Sequence, residues 1–104
     1  MSKLNVELVT PEALVFSSDV EMVVVPGAEG DFGILEGHSP MISSLRPGVI
    51  DIYESGSQIS KRIFVAEGFA EVTPARCTIL ARSATDVTGN AEEAARLLKE
   101  AENN

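Results

Sequence analysis

At 104 residues the chain is the size of one domain, long enough to bury a core without staples. With 44% hydrophobic residues, no Trp and 5% aromatics, that core must be built from Val, Ile, Leu and Ala, which favours strands over an aromatic-lined catalytic pocket. A formal net charge of −8 disfavours nucleic acid and anionic lipid as direct partners and suits a neutral or basic protein. The single cysteine, Cys77, can make neither an internal disulfide nor a cysteine-built metal site, and it reads as a small core residue in a reducing compartment.

From the N-terminus, Met1 to Asn5 has no apolar signal core and no Arg-rich transit character, and no apolar run approaches membrane-spanning length. Membrane association is therefore expected to run through another protein, without direct insertion. Leu4, Val6 and Leu8 alternate with Asn5 and Glu7, the period of a half-buried strand, until Thr10-Pro11-Glu12 interrupts them. Leu14-Val15-Phe16 predicts a second short strand closed by Ser17-Ser18-Asp19, and Val20 to Val25 a third.

The next stretch, Val25 to Pro40, holds Gly27, Gly30, Gly33, Gly37, His38 and two prolines, and is the expected seat of function. Its glycine spacing invites a phosphate-loop reading, but Glu29, Asp31 and Glu36 would repel an anion and no Lys-Ser or Lys-Thr follows. The glycines are better read as turns and a bulge between short strands. Charge here is lopsided. Through Ser60 the only cations are Lys3 and Arg46, against Glu7, Glu12, Asp19, Glu21, Glu29, Asp31, Glu36, Asp51 and Glu54, so one part of the surface is expected to be acidic.

Met41 to Leu45 lies between Pro40 and the turn Arg46-Pro47-Gly48, and Val49 to Glu54 alternates before a Ser55-Gly56-Ser57 loop. Gln58 to Ala66, Gly68 to Val72 and Cys77 to Arg82 continue the pattern, separated by short polar turns. About nine short strands at roughly ten-residue spacing point to a β-sandwich or barrel. After Thr88-Gly89 the period changes. Asn90 can cap a helix with Glu93 three residues on, predicting a helix to the C-terminus whose buried face is Ala91, Ala94, Ala95, Leu98 and Ala101. Glu92–Arg96 and Arg96–Glu100 are spaced for ion pairs on the other face. Residues 1–84 are thus expected to form the sandwich domain and 85–104 a short helical segment.

The residues offer little for catalysis. A nucleophile–base pair would need His38 and Cys77, which stand in unlike settings, and a lone histidine supplies too few metal ligands. Carboxylate pairs such as Glu29 with Asp31 lack both calcium-loop spacing and the apolar surroundings that raise a catalytic pKa. The chain is read as a non-enzyme without cofactor or metal. Leu35 and Met41 stand out as apolar residues free to face a partner.

Four ordered blocks carry a resemblance to the epsilon subunit of the rotary F-type ATP synthase, called delta in mitochondria. They are Leu8-Val9-Thr10-Pro11-Glu12 with Phe16-Ser17; Pro26 to Leu35 followed by Gly37-His38-Ser39-Pro40; Leu45 to Ile50; and Gly68-Phe69-Ala70-Glu71-Val72. The resemblance implies a flattened sandwich of two five-stranded sheets, about ten short strands followed by one helix. It further implies a central-stalk rotor subunit that binds gamma and the c ring, reaches the catalytic alpha/beta sector through gamma, and couples ion flow to ATP synthesis. Such a protein would be peripheral on the cytoplasmic face of a bacterial inner membrane. The loop Glu29, Gly30, Asp31 and Phe32 would meet the c ring, with His38 near the same end, and Leu35 and Met41 would face gamma. An acidic loop suits basic ring loops, since complementary charge steers docking and fixes register.

The C-terminus departs from the resemblance. Relatives commonly carry two helices there and, in some bacteria, an ATP-binding Ile/Leu-Asp-x-x-Arg-Ala motif; the matching residues here are Asp86-Val87-Thr88-Gly89-Asn90-Ala91, with Val87 and Asn90 in place of the acid and the arginine. A short form that does not inhibit hydrolysis through its C-terminus is therefore expected. The competing expectation is a free-standing β-sandwich adaptor for an unrelated basic protein.

Overall fold

The computed structural model describes residues 3–102. Ten strands precede one helix: β1 (Leu4–Val9), β2 (Leu14–Val20), β3 (Met22–Gly27), β4 (Gly30–Leu35), β5 (Met41–Leu45), β6 (Gly48–Tyr53), β7 (Lys61–Val65), β8 (Gly68–Val72), β9 (Arg76–Ala81), β10 (Ala84–Asp86) and α1 (Ala91–Glu102). Five of them form a first sheet in the order β10-β7-β6-β3-β4, and the other five a second in the order β5-β8-β9-β1-β2. A single residue pair, Gly27 with Leu45, joins the two. The sandwich of two five-stranded sheets is thus the fold found.

Alternation explains the strands. Leu4, Val6 and Leu8 point inward from β1 while Asn5, Glu7 and Val9 point outward, and Ile50 and Ile52 do the same from β6. Inward side chains of both sheets merge into one aliphatic cluster that includes Val23, Val25, Ile34, Ile63, Cys77 and Ile79. Each large aliphatic side chain so buried contributes roughly 1.5–3 kcal/mol. Cys77 is a core residue, as its strand position predicts, and burial pushes its thiol up to about 12.

Several local readings need correction. Ser17, Ser18 and Asp19 do not close a strand but continue β2, pairing with Glu7, Val6 and Asn5. An edge strand tolerates them because one of its sides faces solvent. β10, which the sequence pattern misses, is added to the first sheet by pairing Ala84 with Val65 and Asp86 with Ile63. The helix presents Ala94, Leu97 and Ala101, not Ala91, Ala95 and Leu98, to the sandwich, where Phe64, Val49 and Val87 receive it. Asn90 caps α1 as expected, its side-chain oxygen accepting from the Glu93 amide at 3.0 Å. Arg96 pairs with Glu100 as predicted, but its second partner is Glu93 rather than Glu92. The expected helix ran to residue 104, and its last two residues lie outside those described, as do Met1 and Ser2.

Candidate functional site

The glycine-rich segment folds as a tight hairpin between β3 and β4, with Gly27 opposite Gly30 and only Ala28 and Glu29 at the tip. Gly30 has φ +139°, a backbone setting that side-chain-bearing residues rarely adopt. At Gly27 a Cβ would fall 2.8 Å from both the Gly30 carbonyl and the Phe32 ring, so that ring lies directly on the hairpin backbone. Phe32 is half-buried and packs against the core from there. The Ala28 amide donates to the Ser44 carbonyl (2.9 Å) and the Arg46 amide to that of Pro26 (3.0 Å), tying the hairpin to the next strand pair.

Arg46 is the part of this site that the sequence reading overlooked. Its guanidinium donates both to the Gly27 carbonyl and to the Asp31 carboxylate, clamping the hairpin from beneath. Asp31 is therefore engaged in an ion pair, and Glu29 at the tip carries the charge presented outward. Two signals could have found the clamp: Arg46 is one of two cations among the first sixty residues, and it adjoins the turn that precedes β6.

The structure brings Glu29, Gly30, Asp31 and Phe32 together but does not place His38 with them. β4 runs between, and six extended residues separate its ends by about 17 Å. His38 sits past the far end, where its amide donates to the Leu35 carbonyl (3.1 Å) and its Nδ1–H to that of Ser39 (2.7 Å). The preceding Gly37 amide binds the Pro74 carbonyl (2.7 Å), anchoring this loop to the β8–β9 turn.

Leu35 and Met41 are both exposed, yet they belong to different sheets. Leu35 ends β4 opposite Met22, and Met41 opens β5 opposite Val72. The strands they occupy, β4 and β5, are the edges of their sheets on the same side of the sandwich, so the two residues flank the connecting loop of that open side.

The positions that replace the nucleotide motif have structural work. Val87 is buried against Phe64 and Ala94, and Asn90 is the helix cap. Asp86 accepts from the Thr88 amide at 2.9 Å and lies 3.5 Å from the Lys61 ammonium; hydrogen bonds from Thr88 first, then Lys61, hold its carboxyl below the usual value. Among the described residues no three His, Cys, Asp or Glu side chains gather as a metal site would require, and no helix is long and apolar enough to cross a membrane.

Residues 3–87 match the family described as ATP synthase, Delta/Epsilon chain, beta-sandwich domain. The chain belongs to that family. Among its relatives is the ATP synthase epsilon chain of Rhodospirillum centenum, 59% identical over 86 residues, which make up 82% of this chain and 59% of that protein. The chain thus spans about three-fifths of the length of that relative. Two solved structures share the fold. One is from the mitochondrial ATP synthase of Euglena gracilis, an OSCP/F1/c-ring assembly (TM-score 0.79, 21% identity, covering 96% of this chain and 64% of that one). The other is from the central stalk/c-ring of the Tetrahymena thermophila mitochondrial ATP synthase (TM-score 0.72, 19% identity, covering 96% of each). The matched residues take in the ten-stranded sandwich of this chain and its glycine-rich hairpin, and each candidate residue lies within them.

Proposed function

We propose that this chain is a non-catalytic rotor subunit of an F-type ATP synthase, binding gamma and the c ring so that ion-driven rotation reaches the catalytic alpha/beta sector through gamma. The observation that carries the reading is the family match across residues 3–87, which takes in every block of the resemblance. Support comes from the neighbours of the same fold, described as parts of central-stalk and c-ring assemblies. The protein then works on the cytoplasmic face of a bacterial inner membrane, held there by its partners.

Within this reading the hairpin Glu29, Gly30, Asp31 and Phe32 meets the c ring. A rotor contact must transmit force without folding away, and the Arg46 clamp, the Phe32 anchor and the two-residue turn give the hairpin that stiffness. Glu29 supplies a charge complementary to basic ring loops. Leu35 and Met41 serve gamma along the open side, and His38, at the far end of β4, belongs with them rather than with the hairpin. Helix α1 acts as a cover for the first sheet, not as an inhibitory plug in the catalytic sector.

Capture of purified gamma and c ring by the full chain tests this. Wild type should bind both; Glu29→Lys should lose the ring and keep gamma, and Asp31→Asn should weaken ring binding less, because it loosens the clamp without inverting the tip charge. Failure of wild type to bind gamma would overturn the rotor reading. Deleting residues 88–104 should leave ATPase activity of the assembled enzyme near its starting level, and a large rise would restore an inhibitory role to the C-terminus.

A further inference from the structure

The two sheets have four edge strands, and three of these edges are blunted. β10 is three residues long and ends in Asp86. β4 is interrupted by Gly30 and Gly33 and carries the Asp31–Arg46 pair, while β5 is tied to the hairpin through Gly27–Leu45 and the Ala28–Ser44 hydrogen bond. Short length, glycine, charge and cover all discourage a further strand from adding to an edge. β2 lacks these protections along most of its length: it is the longest strand, pairs only with β1, and reads Leu14-Val15-Phe16-Ser17-Ser18 before its one carboxylate, Asp19. That carboxylate is drawn back over β1, where it accepts from the Asn5 side-chain amide at 3.0 Å.

Hydrogen-bond direction shows which groups this edge offers. The Asn5 amide donates to the Ala75 carbonyl beside β9 (3.0 Å), whereas Thr10 and Ala13 exchange both backbone bonds across the turn between β1 and β2 (2.9 and 3.2 Å). Even-numbered residues of β1 therefore face β2, Val6 bonds the Ser18 opposite it, and Ser17 and Asp19 turn their N–H and C=O groups outward. An irregularity at Leu8/Val9 leaves Val15 without a partner on β1, so the regular edge runs from Phe16 to Val20 with Ser18 at its middle.

We infer that β2 is a self-pairing edge, which binds the same strand of a second copy of this chain in antiparallel register about Ser18. The inference concerns the free chain and does not rest on the rotor reading. Self-complementarity selects the occupant. In this register the outward groups of Ser17 meet those of the partner's Asp19, so each carboxylate faces a hydroxyl and no charge faces its like. Phe16, a core residue, comes opposite the partner's Val20 and carries the aliphatic cluster of one copy toward that of the next. The second sheets of the two copies then run on as one, while β4, β5 and the glycine-rich hairpin lie at the opposite edges and stay open. Contact through one strand per copy falls below the roughly 1,200 Å² of a stable interface, and two chains of net charge −8 repel each other. The pair is therefore weak, with a dissociation constant on the order of 1 mM.

Sedimentation equilibrium of the full chain tests this. Apparent mass should rise from that of a monomer at low micromolar concentration toward twice that value near about 1 mM, and further in high salt, because screening weakens the repulsion. Ser17→Pro should hold the chain monomeric and folded, since proline removes an N–H that β1 does not use. Ser17→Glu, which sets a carboxylate against the partner's Asp19, should do the same. Ser18→Cys should cross-link as a dimer under oxidised glutathione, because non-hydrogen-bonded antiparallel pairs stand about 4.5 Å apart at Cα and the native thiol, Cys77, is buried. The unmodified protein gives a reading free of folding effects: amide exchange at Ser17 and Asp19 should slow as concentration rises, while exchange along β4 and β5 stays constant. A wild-type chain that remains monomeric at about 1 mM, or pairing that survives both Ser17 substitutions, would overturn the inference.

Discussion

The two outer faces of the sandwich solve the same problem differently. Each carries apolar residues that alternation would have made polar. On the first sheet, Phe64 and Val49 face outward and are covered from within the chain by Ala94, Leu97 and Ala101 of α1. On the second, Phe69, Leu80 and Leu14 face outward bare. The difference teaches that the helix is a fitted cover: without Phe64 and Val87 to pack against, twelve residues rich in alanine are too few to hold a helix in water.

The sharpest break in this comparison would come from two matched substitutions. Phe64→Ala removes the seat of the helix and should cost about 3–5 kcal/mol, whereas Phe69→Ala on the bare face should stay within about 0.5 kcal/mol, both read by denaturant melts. Equal losses would mean that the faces are not energetically distinct. Next in size, Asn90→Ala removes the cap that receives the Glu93 amide and should cost about 1 kcal/mol, with helical signal lost before sheet signal. A wholly two-state loss would show that helix and sandwich melt as one.

Smaller still is Arg46→Ala, which opens the hairpin clamp. The Arg46–Asp31 pair is exposed, so stability should fall by less than about 1 kcal/mol while amide exchange at Ala28 to Gly30 accelerates. The smallest effect is a pH dependence on the helix-bearing side. Asp86 has its carboxyl lowered by Thr88 and then Lys61, so its contribution is present above the ordinary aspartate pKa of about 3.9 and disappears as pH falls through the lowered folded value. Glu93, lowered chiefly by its hydrogen bond with Arg96, acts in the same direction. Acid titration followed by NMR should therefore leave Thr88 and the first turn of α1 undisturbed until pH falls through these lowered values, below the ordinary carboxylate range.

Most strands were legible because one side of each faces the core, which writes a period of two into the residues, as Leu4-Val6-Leu8 and Ile50-Ile52 do. β10 was not legible because three residues, Ala84 to Asp86, hold no period, and only their ladder with β7 makes them a strand. The buried face of α1 was misread because alanines occur all round the helix; Phe64, distant in sequence, selects Leu97 over Leu98. Of the candidate site, the hairpin was visible in its glycines, but its separation from His38 was hidden because Gly30 to Leu35 looks like loop until Val23 and Val25 pair with it. The bare face did leave a trace: Phe69 and Leu80 are apolar residues out of phase with Ala70, Val72, Cys77 and Ile79.

The second sheet places β1 between β2 and β9, and its bond to β9 is parallel, with Asn5 beside Arg76. The chain's first strand is therefore completed by nearly its last. On a ribosome adding about 5–20 residues per second, Leu4, Val6 and Leu8 must wait several seconds as one half of an unfinished hairpin before their second neighbour emerges. Such long-range closure belongs to the slower folding regime of milliseconds to seconds. Assembly of this protein is thus timed by synthesis of its last strands, and a nascent chain halted before residue 76 would expose an unpaired, aggregation-prone edge.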